Sequence, residues 1–257
     1  MPTDALLSLH GVTKAFGGLK VVDDVTFALP RGGRLGLIGP NGAGKTTVFN
    51  LISGVYPIDA GTIALDGQAI QDLVPGARVR AGLARSFQNI RLMPHLSAVE
   101  NVMLGQHARA SGLSALLTPL GWMPRGRWRR DAEALLAEAG LDIDPGEVVS
   151  SLPYGIRKKI EVVRALASRP KLLLLDEPAA GLNPAETAEL ARFLRRIAEA
   201  GTTLLVVEHD MAFVNEVCDR VVVLNFGRKI FEGSMADARA DATVREAYLG
   251  AEASDAA

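Results

Sequence analysis

Residues 39–46 read Gly-Pro-Asn-Gly-Ala-Gly-Lys-Thr, which matches the pattern G-x-x-x-x-G-K-[ST]. Glycines let successive backbone N–H groups turn toward a phosphate, because no Cβ obstructs them. Lys45 adds a mobile positive charge for the β- and γ-phosphates, and the Thr46 hydroxyl is a suitable Mg²⁺ ligand. The pattern therefore predicts a site for a nucleoside triphosphate, formed by Gly39, Pro40, Asn41, Gly42, Ala43, Gly44, Lys45, Thr46 and Thr47.

Polar residues follow three further apolar runs that are typical of strands. Asp176 and Glu177 follow Leu172 to Leu175, His209 follows Leu204 to Val207, and Gln88 follows Leu83 to Phe87. Taken alone, an Asp-Glu pair after a strand is a common solvated turn, and a single His or Gln is unremarkable. Beside a phosphate loop, Asp176 and Gln88 become candidate ligands of Mg²⁺ or its waters, and Glu177 becomes a candidate proton acceptor for an attacking water.

These residues need a sheet whose parallel strands end at one edge. The phosphate pattern lies between the strand-like Leu35 to Ile38 and the helix-like Lys45 to Ser53, which is the context its chemistry requires. The later apolar runs alternate with the helix-like Pro184 to Ala200, and this order indicates a parallel sheet. Asn183 and Glu186 form a capping-box pattern at the start of that helix.

The predicted fold is α/β, with a mostly parallel sheet and flanking helices, an antiparallel β subdomain and a helical insert. We expect one domain over residues 1–250, made of a core with N-terminal antiparallel β over about 1–89 and 151–250, and an insert over about 90–150. Residues 251–257 are expected to be a disordered tail. The remaining predicted elements are strands at Leu6 to Leu9, Val21 to Phe27, Thr62 to Leu65, Val221 to Leu224 and Lys229 to Phe231, a helix opened by Ser97 and Glu100, and helices at Arg129 to Ala139 and Ile156 to Ser168.

Composition excludes several classes of protein. The chain has 257 residues, 48% of them hydrophobic, and a formal net charge of -1, which gives no overall attraction to nucleic acid. A single cysteine, Cys218, excludes an internal disulfide. The longest uncharged runs, residues 110–124 and 46–58, are shorter than the ~20 residues of a spanning helix. Residues 111–130 carry a basic cluster that fits either a solvated loop or a contact with membrane headgroups or a membrane partner.

These motifs together resemble the ATP-binding cassette family of transport ATPases, which have a P-loop NTPase core. The resemblance implies that Gly39 to Thr46 is the Walker A loop, Leu172 to Asp176 the Walker B strand and Glu177 the catalytic base. It makes Gln88 the Q-loop residue and His209 the H-loop residue. Phe16 stands where the family stacks an aromatic ring on adenine, although packing in a β core would also account for it. ATP and Mg²⁺ are the implied ligands, and ATP hydrolysis is the implied reaction.

The family signature is altered in this chain. Leu152-Pro153-Tyr154-Gly155-Ile156 stands where Leu-Ser-Gly-Gly-Gln is usual, and Asn183 replaces the usual Asp of the D-loop. In the family the signature faces the γ-phosphate of ATP held by a second subunit. Because Pro153 has neither a hydroxyl nor an N–H, only the amides near Tyr154 and Gly155 and the helix that follows remain as donors.

Further segments are similar to the ATPase subunit of branched-chain or other hydrophobic amino-acid importers: 177–184, Glu208-His209-Asp210-Met211, the Tyr154 signature and Ala247-Tyr248-Leu249-Gly250. That resemblance implies a second cassette as homo- or heterodimer partner, transmembrane permease subunits, an indirect periplasmic solute-binding protein, no nucleic acid, and a peripheral location on the cytoplasmic face of the inner membrane. A lipopolysaccharide-export ATPase, a soluble cassette of iron–sulfur cluster assembly and an unrelated P-loop kinase or GTPase remain alternatives.

Overall fold

Two β-sheets form the framework of the chain in the computed structural model, which describes residues 5–86, 90–107 and 125–255. The strands are β1 (Ala5–Phe16), β2 (Leu19–Pro30), β3 (Arg34–Ile38), β4 (Ala60–Leu65), β5 (Gln68–Ala69), β6 (Leu83–Arg85), β7 (Leu172–Asp176), β8 (Thr203–Val207), β9 (Arg220–Asn225) and β10 (Arg228–Gly233). The helices are α1 (Lys45–Ser53), α2 (Pro75–Arg80), α3 (Ala98–Gln106), α4 (Arg125–Glu138), α5 (Tyr154–Leu166), α6 (Pro184–Glu199), α7 (Met211–Val217), α8 (Met235–Ala240) and α9 (Ala242–Asp255).

One sheet is antiparallel and has the order β2-β1-β4-β5, and the other has the order β10-β9-β3-β8-β7-β6. In the second sheet β3, β6, β7, β8 and β9 run parallel, and only β10 is antiparallel to its neighbour. Helices connect the parallel strands, as the alternation of apolar runs and helical segments predicts. The structure thus confirms the predicted α/β class and its antiparallel β part.

Alternate residues of the central strands enter different cores. Leu172 and Leu174 belong to the apolar cluster beneath α1 and the antiparallel sheet, whereas Leu173 and Leu175 belong to the cluster that includes residues of α3, α5 and α6. All five residues of β7 and of β8 are buried. A parallel strand covered on both faces needs this uninterrupted apolar run, and the run holds the sheet in place beneath its polar edge.

Both predicted capping boxes form. Ser97 caps α3 together with Glu100, and Asn183 caps α6 together with Glu186. The segment 108–124 between α3 and α4 lies outside the described residues, so the proposed membrane contact of residues 111–130 stays a prediction there. Within α4, the basic cluster residues Arg127, Arg129 and Arg130 are exposed.

The last helix, α9, runs from Ala242 to Asp255, so residues 251–255 are helical. The disordered tail expected over 251–257 stays a prediction. Alanine and glutamate are strong helix formers, so the alanine-rich composition that suggests disorder also extends a helix already begun at Ala242. Residues 256 and 257 lie outside the described part of the chain.

Arg78 on α2 holds the far end of α1, the helix that begins at the phosphate pattern. Its side chain is buried, with 2% exposure. The guanidinium donates to the carbonyl oxygens of Leu51 at 2.5 Å and Ile52 at 2.8 Å in the last turn of α1. It also donates to the carbonyl oxygens of Leu73 at 2.9 Å and Gln71 at 2.8 Å. A cation at a helix C-terminus satisfies carbonyls that have no partner in the helix and complements the helix dipole.

We expect Arg78→Met to lower the free energy of unfolding by about 3 kcal/mol, because buried carbonyl oxygens lose a charged donor. Denaturant titration measures this difference. Arg80→Met on the same helix is the matched control, since Arg80 is exposed, and it should change the stability by less than about 0.5 kcal/mol. Equal effects of the two substitutions would contradict the capping role.

Candidate nucleotide-binding site

The phosphate loop joins β3 to α1, and two of its glycines are required by close packing. A Cβ on Gly39, whose φ is 147°, would lie 2.2 Å from the Leu224 carbonyl oxygen. A Cβ on Gly44, whose φ is 98°, would lie 2.6 Å from the Val21 carbonyl oxygen. Both glycines therefore have a structural reason besides phosphate access: the loop is pressed between β9 on one side and β2 on the other.

The turn between β9 and β10 fastens the loop to the antiparallel sheet. Gly227 donates its N–H to the Ala43 carbonyl at 3.1 Å, and its own carbonyl accepts from the Asp23 N–H at 2.8 Å. These two backbone hydrogen bonds link the middle of the phosphate loop to β2 through Gly227. The loop is thus positioned by both sheets.

Lys45 lies half-buried at the start of α1. Its Nζ donates to the carbonyl oxygens of Gly39 at 2.6 Å and Pro40 at 2.8 Å. Burial lowers the pKa of Lys45, and the negative charge of Glu177 acts in the opposite direction. The ammonium therefore lies inside the loop and faces the acidic edge of the sheet. Of the other predicted loop residues, Gly39, Pro40, Ala43 and Gly44 are buried, Thr47 is half-buried, and Asn41, Gly42 and Thr46 are exposed.

Strand register brings the separate motifs to one edge. Val207 of β8 pairs on one side with Leu37 of β3 and on the other with Asp176 of β7. Gly39, Glu177 and His209 lie one or two residues beyond these paired positions, so they leave the same edge of the sheet. Gln88, the fourth predicted member, lies outside the described residues, and its role stays a prediction.

Asp176 is held by a residue that sequence reasoning missed. Its Oδ2 accepts from Arg85 Nη2 at 2.8 Å. Arg85 Nη1 donates to Asn50 Oδ1 at 2.7 Å and to Ser53 Oγ at 2.9 Å, both on α1. Arg85 thus connects the carboxylate to the helix that follows the phosphate loop. The sequence does contain one signal for Arg85, its place in the strand-like run that begins at Leu83. Only the pairing of β6 with β7, however, makes Asp176 a neighbour of Arg85.

Glu177 sits in a tight turn with φ of 45°, in the left-handed region. Its N–H donates to the Val207 carbonyl at 2.9 Å, so the turn is attached to β8. His209, whose side chain is 69% exposed, follows β8. The two side chains predicted to act on the attacking water and the phosphate are therefore carried by adjoining loops.

Phe16 is the last residue of β1, and 41% of it is exposed, which argues against packing in a β core. Its ring meets Tyr56 edge-on, with centroids 5.2 Å apart and an angle of 75°. Lys14 Nζ lies 5.4 Å from the Phe16 ring centre. Sequence reasoning did not identify Tyr56, because the two rings are separated by forty positions in the chain and meet only through the fold. Stacking on adenine stays a prediction for Phe16.

The altered signature packs against the loop that follows Glu177 in the same chain. Pro153 precedes the first residue of α5, and the Tyr154 hydroxyl donates to the Ala180 carbonyl at 3.4 Å. A Cβ on Gly155 would lie 2.2 Å from Glu186 Oε1. The other oxygen of that carboxylate accepts the Asn183 N–H at 3.0 Å as part of the α6 capping box. The signature and the D-loop therefore form one packed unit.

The ABC transporter family profile matches residues 22–180. The chain belongs to this family of ATP-hydrolysing cassettes. A second profile, for branched-chain amino acid ATP-binding cassette transporters, matches residues 228–254, which span β10, α8 and most of α9. Membership of this family explains why the phosphate loop, Asp176, Glu177 and His209 lie at one edge of the sheet.

The similarity to known relatives and solved structures extends over nearly the whole chain. The cassette is 39% identical over 253 residues to the high-affinity branched-chain amino acid transport ATP-binding protein BraF of Pseudomonas aeruginosa, covering 95% of this chain and 98% of BraF. LivG of Escherichia coli K12, which has the same description, is also 39% identical, with the same coverage. The ADP conformation of MJ1267, an ATP-binding cassette of an ABC transporter, superposes with a TM-score of 0.85 at 28% identity, covering 96% of this chain and 100% of MJ1267. A dimeric post-hydrolysis state of the cassette MJ0796, bound to ADP and Pi, gives a TM-score of 0.77 at 25% identity, covering 89% of this chain and 98% of MJ0796.

In the described ranges of the chain, each helix is too short or too polar to cross a bilayer.

We expect Gly155→Ala to reduce the free energy of unfolding by about 1 kcal/mol, because the new methyl displaces Glu186 from its capping box. Denaturant titration measures the loss. In a Glu186→Ala background the same change should have little further effect, since the clashing carboxylate is gone. The control is Gly126→Ala in α4, where a Cβ meets open space. If the stability losses of Gly155→Ala and Glu186→Ala are additive in the double variant, Gly155 does not act through the capping box.

Proposed function

We propose that this cassette is the ATP-hydrolysing subunit of an importer of branched-chain or other hydrophobic amino acids. The observation that supports this substrate class is the match of residues 228–254 to the branched-chain transporter profile, together with the 39% identity to BraF and LivG over 95% of the chain. The C-terminal match therefore favours this class over the lipopolysaccharide-export and iron–sulfur alternatives.

We propose that the amides of residues 39–46 and the Lys45 ammonium bind the β- and γ-phosphates. A hydrogen-bonded loop at a helix start suits this role, because its N–H groups and the helix dipole are already oriented toward an anion. Lys45 must exchange its bonds to Gly39 and Pro40 for phosphate oxygens when ATP enters. Phe16, half-exposed at the end of β1, is proposed to stack on adenine, a contact worth roughly 1 to 3 kcal/mol.

We propose that Mg²⁺ accompanies ATP and is held by Thr46, Asp176 and Gln88. Hydroxyl, carboxylate and amide oxygens are the hard donors that this ion prefers, and one or two carboxylates with substrate phosphates are typical of its protein sites. When bound, the ion neutralises the charge that develops on the phosphates. Arg85 donates to one oxygen of Asp176 at 2.8 Å and both side chains are largely buried, so the protein fixes the direction of that carboxylate.

Hydrolysis is assigned to Glu177 and His209. Glu177 accepts a proton from the attacking water, and His209 contacts the γ-phosphate, which is the positioning that phosphoryl transfer to water requires. The exposed Tyr154 and the start of α5 offer amides to the ATP of a second cassette across a dimer. That second cassette is either another copy or a related chain. Membrane permease subunits, a periplasmic solute-binding protein and a peripheral position on the cytoplasmic face of the inner membrane complete the proposal.

We expect Glu177→Gln to bind ATP like the parent while kcat falls by about 100-fold or more, because the amide cannot accept the proton. Equilibrium nucleotide binding and phosphate release measure the two quantities, and size-exclusion chromatography with ATP should show accumulated dimers. Glu199→Gln, an exposed carboxylate at the end of α6, is the control and should leave kcat unchanged. Turnover at the parent rate in Glu177→Gln would remove Glu177 from its proposed role.

Transport is tested in proteoliposomes that contain the cassette with the membrane subunits that co-purify with it after detergent extraction. With a solute-binding protein outside and ATP at the cassette side, we expect uptake of labelled leucine. Lys45→Ala, which loses the ammonium that binds phosphate, should abolish the uptake. Purification without any membrane subunit would favour the soluble alternative, and ATP-driven movement in the opposite direction would overturn import.

A further inference from the structure

Glu208 is a buried carboxylate between the two loops of the proposed catalytic site. It follows β8 directly, precedes His209 and is 1% exposed. Its Oε1 accepts the Ala179 N–H at 2.8 Å, and its Oε2 accepts the His209 N–H at 3.1 Å. Ala179 lies two residues beyond Glu177. One side chain therefore bonds to the loop that carries Glu177 and to the loop that carries His209.

The loop that carries Glu177 depends on contacts with β8. Glu177 has a left-handed backbone with φ of 45°, which a residue with a Cβ adopts only when its surroundings hold it there. Its N–H is anchored to the Val207 carbonyl at 2.9 Å. Glu208 supplies the second anchor, at Ala179. The turn then continues through hydrogen bonds from Ala180 to the Glu177 carbonyl and from Leu182 to the Ala179 carbonyl.

The buried charge of Glu208 interacts with Lys158 on α5, the helix that follows the altered signature. Burial raises the pKa of Glu208, and backbone hydrogen bonds from Ala179 and His209 lower it. Lys158 of α5 is likewise 1% exposed; burial lowers its pKa, and the charges of Glu161, Glu208, Asp176 and Glu177 act in the opposite direction. A buried carboxylate is costly unless its hydrogen bonds and a counter-charge compensate, and both are present here. An apolar residue at 208 would leave the Ala179 N–H without this acceptor.

We propose that Glu208 is a positioning residue for ATP hydrolysis: its carboxylate fixes the turn that aims Glu177 relative to the loop that carries His209. This inference rests on the proposed roles of Glu177 and His209. Glu208 itself is proposed to touch neither ATP nor the attacking water. It acts because a small displacement of a catalytic group lowers the rate strongly while leaving the phosphate loop intact.

The test is Glu208→Gln, which keeps the size of the side chain but replaces one accepting oxygen with an NH₂ group that faces a backbone N–H. We expect kcat to fall about tenfold or more while the Kd for ATP stays within about twofold. The matched control is Glu161→Gln. Glu161 is also 1% exposed and also interacts with Lys158, but it accepts the Arg91 N–H at 3.1 Å instead of joining the two loops. It should leave kcat within about twofold of the parent.

A double-mutant cycle with Glu177→Gln separates positioning from general stability. If Glu208 acts through the catalytic loops, the double variant should have a kcat close to that of the slower single variant. Multiplied losses, a parallel loss of ATP binding, or an unchanged kcat in Glu208→Gln would each overturn the proposal.

If Glu208→Gln does not fold, Glu208→Asp takes its place, since it retains the charge but withdraws the carboxylate by one methylene. We expect the same fall in kcat with unchanged ATP affinity, and an unchanged kcat would overturn the inference. Parent-like turnover in Glu177→Gln would instead refute the proposed catalytic base. The two failures are therefore distinguishable.

Discussion

The pairing of Val207 with Leu37 on one side and Asp176 on the other determines what this cassette can do. Parallel strands in this register end together, so the segments that leave them emerge side by side at one edge. The phosphate loop, the acidic turn and the histidine loop belong to distant parts of the sequence and would have no reason to meet otherwise. A shift of one residue in this register would also turn the side chains of β7 from one core to the other.

The phosphate loop depends on more than its own pattern. Gly39 and Gly44 approach the main chains of β9 and β2 so closely that side chains there would collide. The Gly227 hydrogen bonds fasten the loop to the β9–β10 turn and to β2. The antiparallel sheet is therefore part of the site's support, besides carrying Phe16. Because the loop is held from outside, its amides can stay oriented without a phosphate to organise them.

Buried charges fix the parts of the site relative to one another. Arg78 satisfies the C-terminal carbonyls of α1, Arg85 connects Asp176 to the same helix, and Glu208 connects the two loops at the sheet edge. Each has hydrogen-bonding partners that offset its desolvation, which is why these charges are compatible with a folded core. Together they link α1, the acidic turn and the loop that carries His209 through hydrogen bonds.

The sequence by itself determined the features that rest on local chemistry. The phosphate pattern, the two capping boxes, the buried strands β3, β7 and β8 and the α/β class follow from residue types a few positions apart. The role of Arg85, the contact of Phe16 with Tyr56, the capping of α1 by Arg78 and the double anchor at Glu208 were decided only by the tertiary structure. Their partners are far away in the chain. Local propensity reports what a segment prefers, whereas a buried charge is fixed by neighbours that only the packed sheet and helices supply.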